Sequence, residues 1–145
     1  MASLQPFYNW TKELKEEETK LPVLFIGHGS PMNGIEDNEF SRSWKKLGLE
    51  IQKPKAVLVI SAHWLTSETK ITAMENPKTI HDFGGFPQAL FDVEYPAKGN
   101  PELAKETSKI IKSTHIGLDH DWGFDHGTWT IDCLLRPFNN SFQSM

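Results

Sequence analysis

Two apolar runs in this chain stop in the same way, each giving way at once to a histidine. Leu21–Ile26 reads Leu-Pro-Val-Leu-Phe-Ile and passes into Gly27-His28-Gly29-Ser30-Pro31, while Ala56–Ser61 reads Ala-Val-Leu-Val-Ile-Ser and passes into Ala62-His63-Trp64. Short β-branched and aromatic runs bounded by Gly and Pro are the signature of buried strands. Between them, Phe40, Trp44, Leu47 and Ile51 recur at helical spacing, with Asp37 or Asn38 placed to cap the start and Gly48 near the end. Strand, helix and strand in this order predict a βαβ unit, whose two strands run parallel. His28 and His63 then emerge at one carboxyl edge, where open α/β sheets bind their ligands.

The rest of the chain extends this pattern. Lys70–Met74 is expected to form a shorter strand, followed by a long Pro-, Gly- and Phe-rich segment from Glu75 to Pro96. Long irregular segments in compact domains are commonly functional. Asn100-Pro101-Glu102 reads as a helix start, with Asn at the cap and Pro in the first turn. Thr114–Leu118 is a further candidate strand, and the chain from Thr128 onward reads as helix. The expected fold class is α/β, with a mostly parallel central sheet flanked by helices.

Charge and composition narrow the function classes. A formal net charge of −4 with scattered Lys and Arg argues against nucleic acid as a partner. The one compact charge run, Lys12–Lys20, is mostly acidic and marks residues 1–20 as a charged, solvated arm. No apolar run reaches the length of a membrane span, and the acidic N-terminal stretch suits neither a signal nor a transit peptide, so the expected setting is cytoplasmic. The single cysteine, Cys133, has no internal disulfide partner and reads as a small buried hydrophobe.

Of the six histidines, three stand in chemically suggestive places. His28 and His63 share the predicted ligand edge. His126 lies in Trp122-Gly123-Phe124-Asp125-His126-Gly127-Thr128-Trp129, where a helix N-terminus disfavours the imidazolium and leaves a neutral base. His81, in Ile80-His81-Asp82-Phe83-Gly84-Gly85-Phe86-Pro87, is a candidate substrate-binding residue, with a local turn contact as the alternative. His115 and His120 read as surface groups. Neutral imidazoles suit Zn(II) or Fe(II). Asp82 and Asp125 could each offer a carboxylate, although spacing selects neither.

These segments together resemble the class III extradiol ring-cleavage dioxygenase family, in particular its 4,5-DOPA dioxygenase-like branch. The likeness rests on Gly27–Met32, Ser61–Trp64, Thr79–Pro87 and Trp122–Trp129, with further similarity at Arg42-Ser43-Trp44 and Tyr95-Pro96-Ala97. It implies a mononuclear non-haem metal site that opens the ring of a catechol such as DOPA with O₂. The resemblance puts metal ligands at His28 and His63 and a catalytic histidine at His126. Family members extend well past this pattern, and no histidine follows His126 here. The resemblance therefore implies that residues 21–131 are the N-terminal part of such a domain, with 132–145 a divergent tail. Its third metal ligand would not be encoded in this chain, and activity alone would be impaired or lost. Unpaired strand edges would then favour self-association. A non-catalytic metal-binding or interaction protein on the same fold is the alternative.

Overall fold

Helices begin where the sequence supplies their caps. The computed structural model describes residues 21–135; the charged arm at 1–20 and the tail from 136 onward lie outside the described residues. In chain order the elements are a 3-10 turn at Pro31–Gly34, then α1 (Glu39–Glu50), β1 (Thr69–Thr72), α2 (Gln88–Phe91), α3 (Pro101–Ile110), β2 (Ile116–Asp119) and α4 (His126–Leu135). Asn38 caps α1 by accepting from the backbone N–H groups of Phe40 and Ser41, both at 3.0 Å. Ser41 Oγ returns the contact, accepting from the Asn38 N–H at 2.9 Å, which completes a capping box. Asn100 caps α3 through the Leu103 N–H at 3.0 Å, with Pro101 in the first turn.

The described residues form two compact units interleaved in sequence. One unit holds residues 65–78 and 96–123. Here β1 and β2 pair in parallel, Thr69 opposite Ile116 through Thr72 opposite Asp119. Parallel strands need a crossover between them, and α3 lies in that connection and packs on both strands. Ala73 and Ala104 are buried. Asp119 ends β2 by accepting from the N–H groups of Asp121 and Trp122 at 2.9 and 2.8 Å, and Lys70 pairs with it at 3.0 Å. These donors hold its carboxyl down at about 2.

The second unit holds residues 21–64, 79–95 and 124–135. Its centre is α4, which packs against α1 and the 3-10 turn. Trp129, Leu90 and Thr130 are fully buried. The α1 face turned to α4 is the one bearing Ser41 and Gly48; a side chain at Gly48 would collide with the Leu135 backbone. The apolar stripe of the same helix is only half-buried at Trp44, Leu47 and Ile51, and Phe40 is exposed. Tyr95 donates a buried hydrogen bond to Asp132. Cys133, expected to be buried, is only half-buried on α4, its thiol pushed up to about 12 by desolvation and by Asp132.

The fold is α/β with a parallel sheet, but the sheet is built from the wrong strands for the expected βαβ unit. Neither the 23–26 run nor the 56–61 run pairs into a ladder among the described residues. A strand needs a hydrogen-bonding neighbour and a face to bury. These runs have neither, for Val23, Phe25 and Ile60 are almost wholly exposed, at 100%, 104% and 92%. The sheet that does form uses the two candidates at 70–74 and 114–118, each shifted by a residue or two. The long 75–96 segment also contains α2, a single turn that follows Pro87. No helix among the described residues is long and apolar enough to cross a membrane.

Candidate metal centre

His28 and His63 meet even though their preceding runs are not paired strands. Their Nε2 atoms lie 2.6 Å apart. His28 is set by the turn around it. Gly29 takes a left-handed φ of 64°, and Ser30 Oγ accepts from the Met32 N–H at 3.2 Å to start the 3-10 turn. Buried Asn33 then reaches back, its amide donating to the His28 carbonyl at 2.9 Å and accepting from the Asn38 amide at 2.8 Å. His63 is held more lightly, through its N–H to Ser61 Oγ at 3.1 Å.

A third imidazole completes the group. The His126 ring centroid lies 4.0 Å from that of His63 and 5.1 Å from that of His28. One ring nitrogen from each of the three falls within 4.8 Å of the others, and among the described residues this is the group of side chains able to hold a metal ion. The expectation of two ligands, with none further encoded, therefore meets a third nitrogen donor supplied by His126. Gly127 makes the convergence possible. A Cβ there would stand 2.7 Å from the His63 ring and 2.9 Å from Ser61 Oγ, so α4 can approach His63 only without a side chain at its second position.

His126 is buried and His63 exposed, with His28 between them. Asp82 Oδ1 accepts from the His126 backbone N–H and lies 2.9 Å from its Nδ1. Burial pulls the Asp82 carboxyl upward, but the hydrogen bonds from His126 outweigh it and hold it below the ordinary carboxylate range. Burial also pushes His28 below its ordinary value, helped by repulsion from His126 and His63. His28 Nδ1 is buried with no hydrogen-bond partner among the described residues. Clustered neutral nitrogens are the donor set that Zn(II) and Fe(II) take, so the residues fit such an ion.

His81 is not among the converging rings. Its Nε2 donates to the Val93 carbonyl at 3.0 Å, and its ring packs with Phe83, Phe91 and Trp129. Phe83 stands between, edge-on to His126 at 5.6 Å. Asp125 caps α4 by accepting from the Thr128 N–H and hydroxyl, both at 3.0 Å. His115 and His120 are exposed, as expected. Beside His28 a cavity of about 380 Å³ opens, lined in part by Phe40 and Trp44. Sequence reasoning missed Gly127 and the pairing of Asp82 with His126. The Gly that follows His126 was the available signal for the first.

The sequence signature of the family described as the catalytic LigB subunit of aromatic ring-opening dioxygenase matches residues 15–130. The chain is 53% identical to the 4,5-DOPA dioxygenase extradiol of Escherichia coli K12 over 127 residues, covering 87% of this chain and 47% of that protein. It is 37% identical to the enzyme of the same name from Beta vulgaris, covering 83% of this chain and 47% of that one. A crystal structure of an uncharacterized protein from Escherichia coli K12 superposes with a TM-score of 0.63 at 42% identity, over 81% of this chain and 43% of that chain. The chain thus spans about half the length of the curated relatives it matches. With the matched segment running through all three converging histidines, the chain belongs to the family of the catalytic LigB subunit of aromatic ring-opening dioxygenases.

Proposed function

We propose that this chain carries the metal-binding part of an extradiol dioxygenase site, acting on a catechol such as DOPA together with O₂. The observation that carries the reading is the convergence of His28, His63 and His126 in a chain of this family. His28 and His63 would hold one mononuclear ion, Zn(II) or Fe(II). Bound there, such an ion supplies Lewis acidity to the diphenol oxygens and, as iron, open positions for O₂.

The remaining work falls to the chain's own groups. His126 Nδ1 is engaged by Asp82, which leaves the Nε2 lone pair on the cluster side: it would be a third donor to the ion in the resting site and, once released from it, would take up a proton from a diphenol hydroxyl. Phe83 covers one side of that imidazole and keeps water from it. His81 serves the substrate side by backing Phe83, at 5.8 Å between ring centroids. The rings of Phe40 and Trp44 give an aromatic substrate an apolar wall beside His28. The exposed Val23, Phe25 and Ile60 favour self-association of the isolated chain, and turnover by it alone is weak.

The test is metal content and oxygen uptake by the purified chain after anaerobic loading with Fe(II) or with Zn(II). Binding of about one ion per chain is expected, falling at least ~100-fold in affinity in His28→Ala and His63→Ala, with ring-opening of catechol or L-DOPA lost in parallel. Metal retained after both substitutions sinks the reading. Histidine-dependent metal binding with no oxygen uptake under any loading favours the non-catalytic metal-binding alternative on the same fold.

A further inference from the structure

The chain commits a carboxylate to His126 from 44 residues away. Both contacts fall on the same oxygen, Asp82 Oδ1, at 2.9 Å from the His126 backbone nitrogen and 2.9 Å from Nδ1. An ionised carboxylate only accepts, so Nδ1 must be the nitrogen that carries the proton, and Nε2 keeps its lone pair. The side chains are 15% and 9% exposed, and reduced solvation strengthens such a bond.

The position of Asp82 is fixed from both sides. Thr79 pairs with Phe124 in a parallel bridge, and the Ile80 N–H donates to the Phe124 carbonyl at 2.8 Å. The Trp129 indole N–H donates to the Ile80 carbonyl at 3.0 Å from a fully buried ring. The segment before Asp82 is therefore tied to the residues just before α4 and to its first turn. On its other side, Phe83 lies edge-on to His126. A free neutral imidazole exchanges its two tautomers, and nothing else among the described contacts of His126 selects between them. The wrong tautomer would aim a proton, not a lone pair, at His28 and His63.

We propose that Asp82 is a positioning residue. It locks His126 in the Nδ1–H tautomer, so that Nε2 presents a lone pair to the cluster formed with His28 and His63. This rests on the reading of that cluster as a metal site. Asp82 itself is not among the side chains that converge as possible ligands, and its Oδ1 is turned to His126. Carboxylates behind a site histidine act in this way in metal centres generally, and their loss weakens metal affinity 10- to 100-fold.

The experiment is nitrogen-15 NMR of the full chain with labelled histidine rings, metal-free and at a pH where the imidazoles are neutral, alongside Zn(II) titration calorimetry. The wild type is expected to show His126 as Nδ1–H alone. Asp82→Asn keeps the shape and an acceptor oxygen but not the charge. It should give a mixed or Nε2–H signal and about 10- to 100-fold weaker Zn(II) binding. A role limited to anchoring the start of α4 predicts neither change in that variant. A wild-type signal of Nε2–H, or a folded Asp82→Asn chain with unaltered tautomer and affinity, overturns the proposal. The wild-type spectrum decides even where the variant does not fold. His28→Ala separates the two readings, since it should lose Zn(II) while His126 keeps its tautomer. If the wild type shows Nδ1–H and the variant loses it, yet neither chain takes up Zn(II), positioning by Asp82 stands and the metal reading fails.

Discussion

His126 and His63 stand at opposite ends of one cluster and are held by opposite means. His126 is buried, with backbone and ring both on Asp82, and is reinforced by ties from Thr79, Ile80 and Trp129 to its own helix. His63 is exposed, follows an unpaired apolar run, and leans on Ser61 and on the space left by Gly127. One imidazole is fixed by hydrogen bonds that span the unit. The other is placed by shape, through the absence of a side chain opposite it. Identical residues in one group thus have quite different tolerance to change around them.

The contrast is broken most severely at Gly127. Gly127→Ala drives a methyl group into the His63 ring and Ser61 Oγ, so His63 should leave the cluster while His126 stays on Asp82. Zn(II) affinity by calorimetry is expected to fall 10-fold or more, with a stability loss of about 1–3 kcal/mol. Unchanged affinity would mean that His63 is not positioned by this contact.

A smaller effect is expected on the firmly held side. Trp129→Phe removes the indole N–H and leaves the Ile80 carbonyl without that donor. The expected cost in denaturant unfolding is about 1–3 kcal/mol, from the unsatisfied carbonyl. The His126 signal should broaden as Asp82 gains freedom, whereas Zn(II) affinity should fall by less than in Gly127→Ala. The reverse order would show that the firm end, not the shape-held one, limits metal capture.

The smallest change lies in the other unit and serves as the reference. Asp119 has its carboxyl held near 2, so its stabilisation is present above the ordinary carboxylate pKa and is lost as pH falls from about 4 through 2. Asp119→Asn keeps the acceptor oxygen for the Asp121 and Trp122 N–H groups but gives up the charge facing Lys70. Its expected cost at neutral pH is below about 1 kcal/mol, because the pair is partly solvated. Unfolding monitored from pH 5 to 2 should show a flatter acid limb, with metal binding unaffected.

How much of this was legible in the sequence depends on how local each signal was. Asn38 and Asn100 with Pro101 announce their helices, because a cap acts within three residues of itself. The three histidines of the cluster stood out by their settings at the ends of apolar runs and beside a helix start. The strand expectation for 23–26 and 56–61 went astray because β preference reports the side chains and not the neighbour a strand requires. Asp82 stayed ambiguous for a similar reason. Its partner lies 44 residues away, and a carboxylate that could bind a metal looks the same in sequence as one that orients a histidine. His81 sits in a Gly-rich loop that reads as a binding loop, yet its Nε2 closes on Val93 through a contact that no local pattern announces.

The lone thiol on α4 gives this helix a clock. With the Cys133 thiol half-buried and pushed up by burial and by Asp132, its alkylation at neutral pH is expected to be slow while the helix is closed and to quicken as it opens. The rate of modification then reports on the opening of the same short helix that begins at His126. The breathing of the cluster's buried end can be timed in the unlabelled native chain, with no residue altered to make it visible.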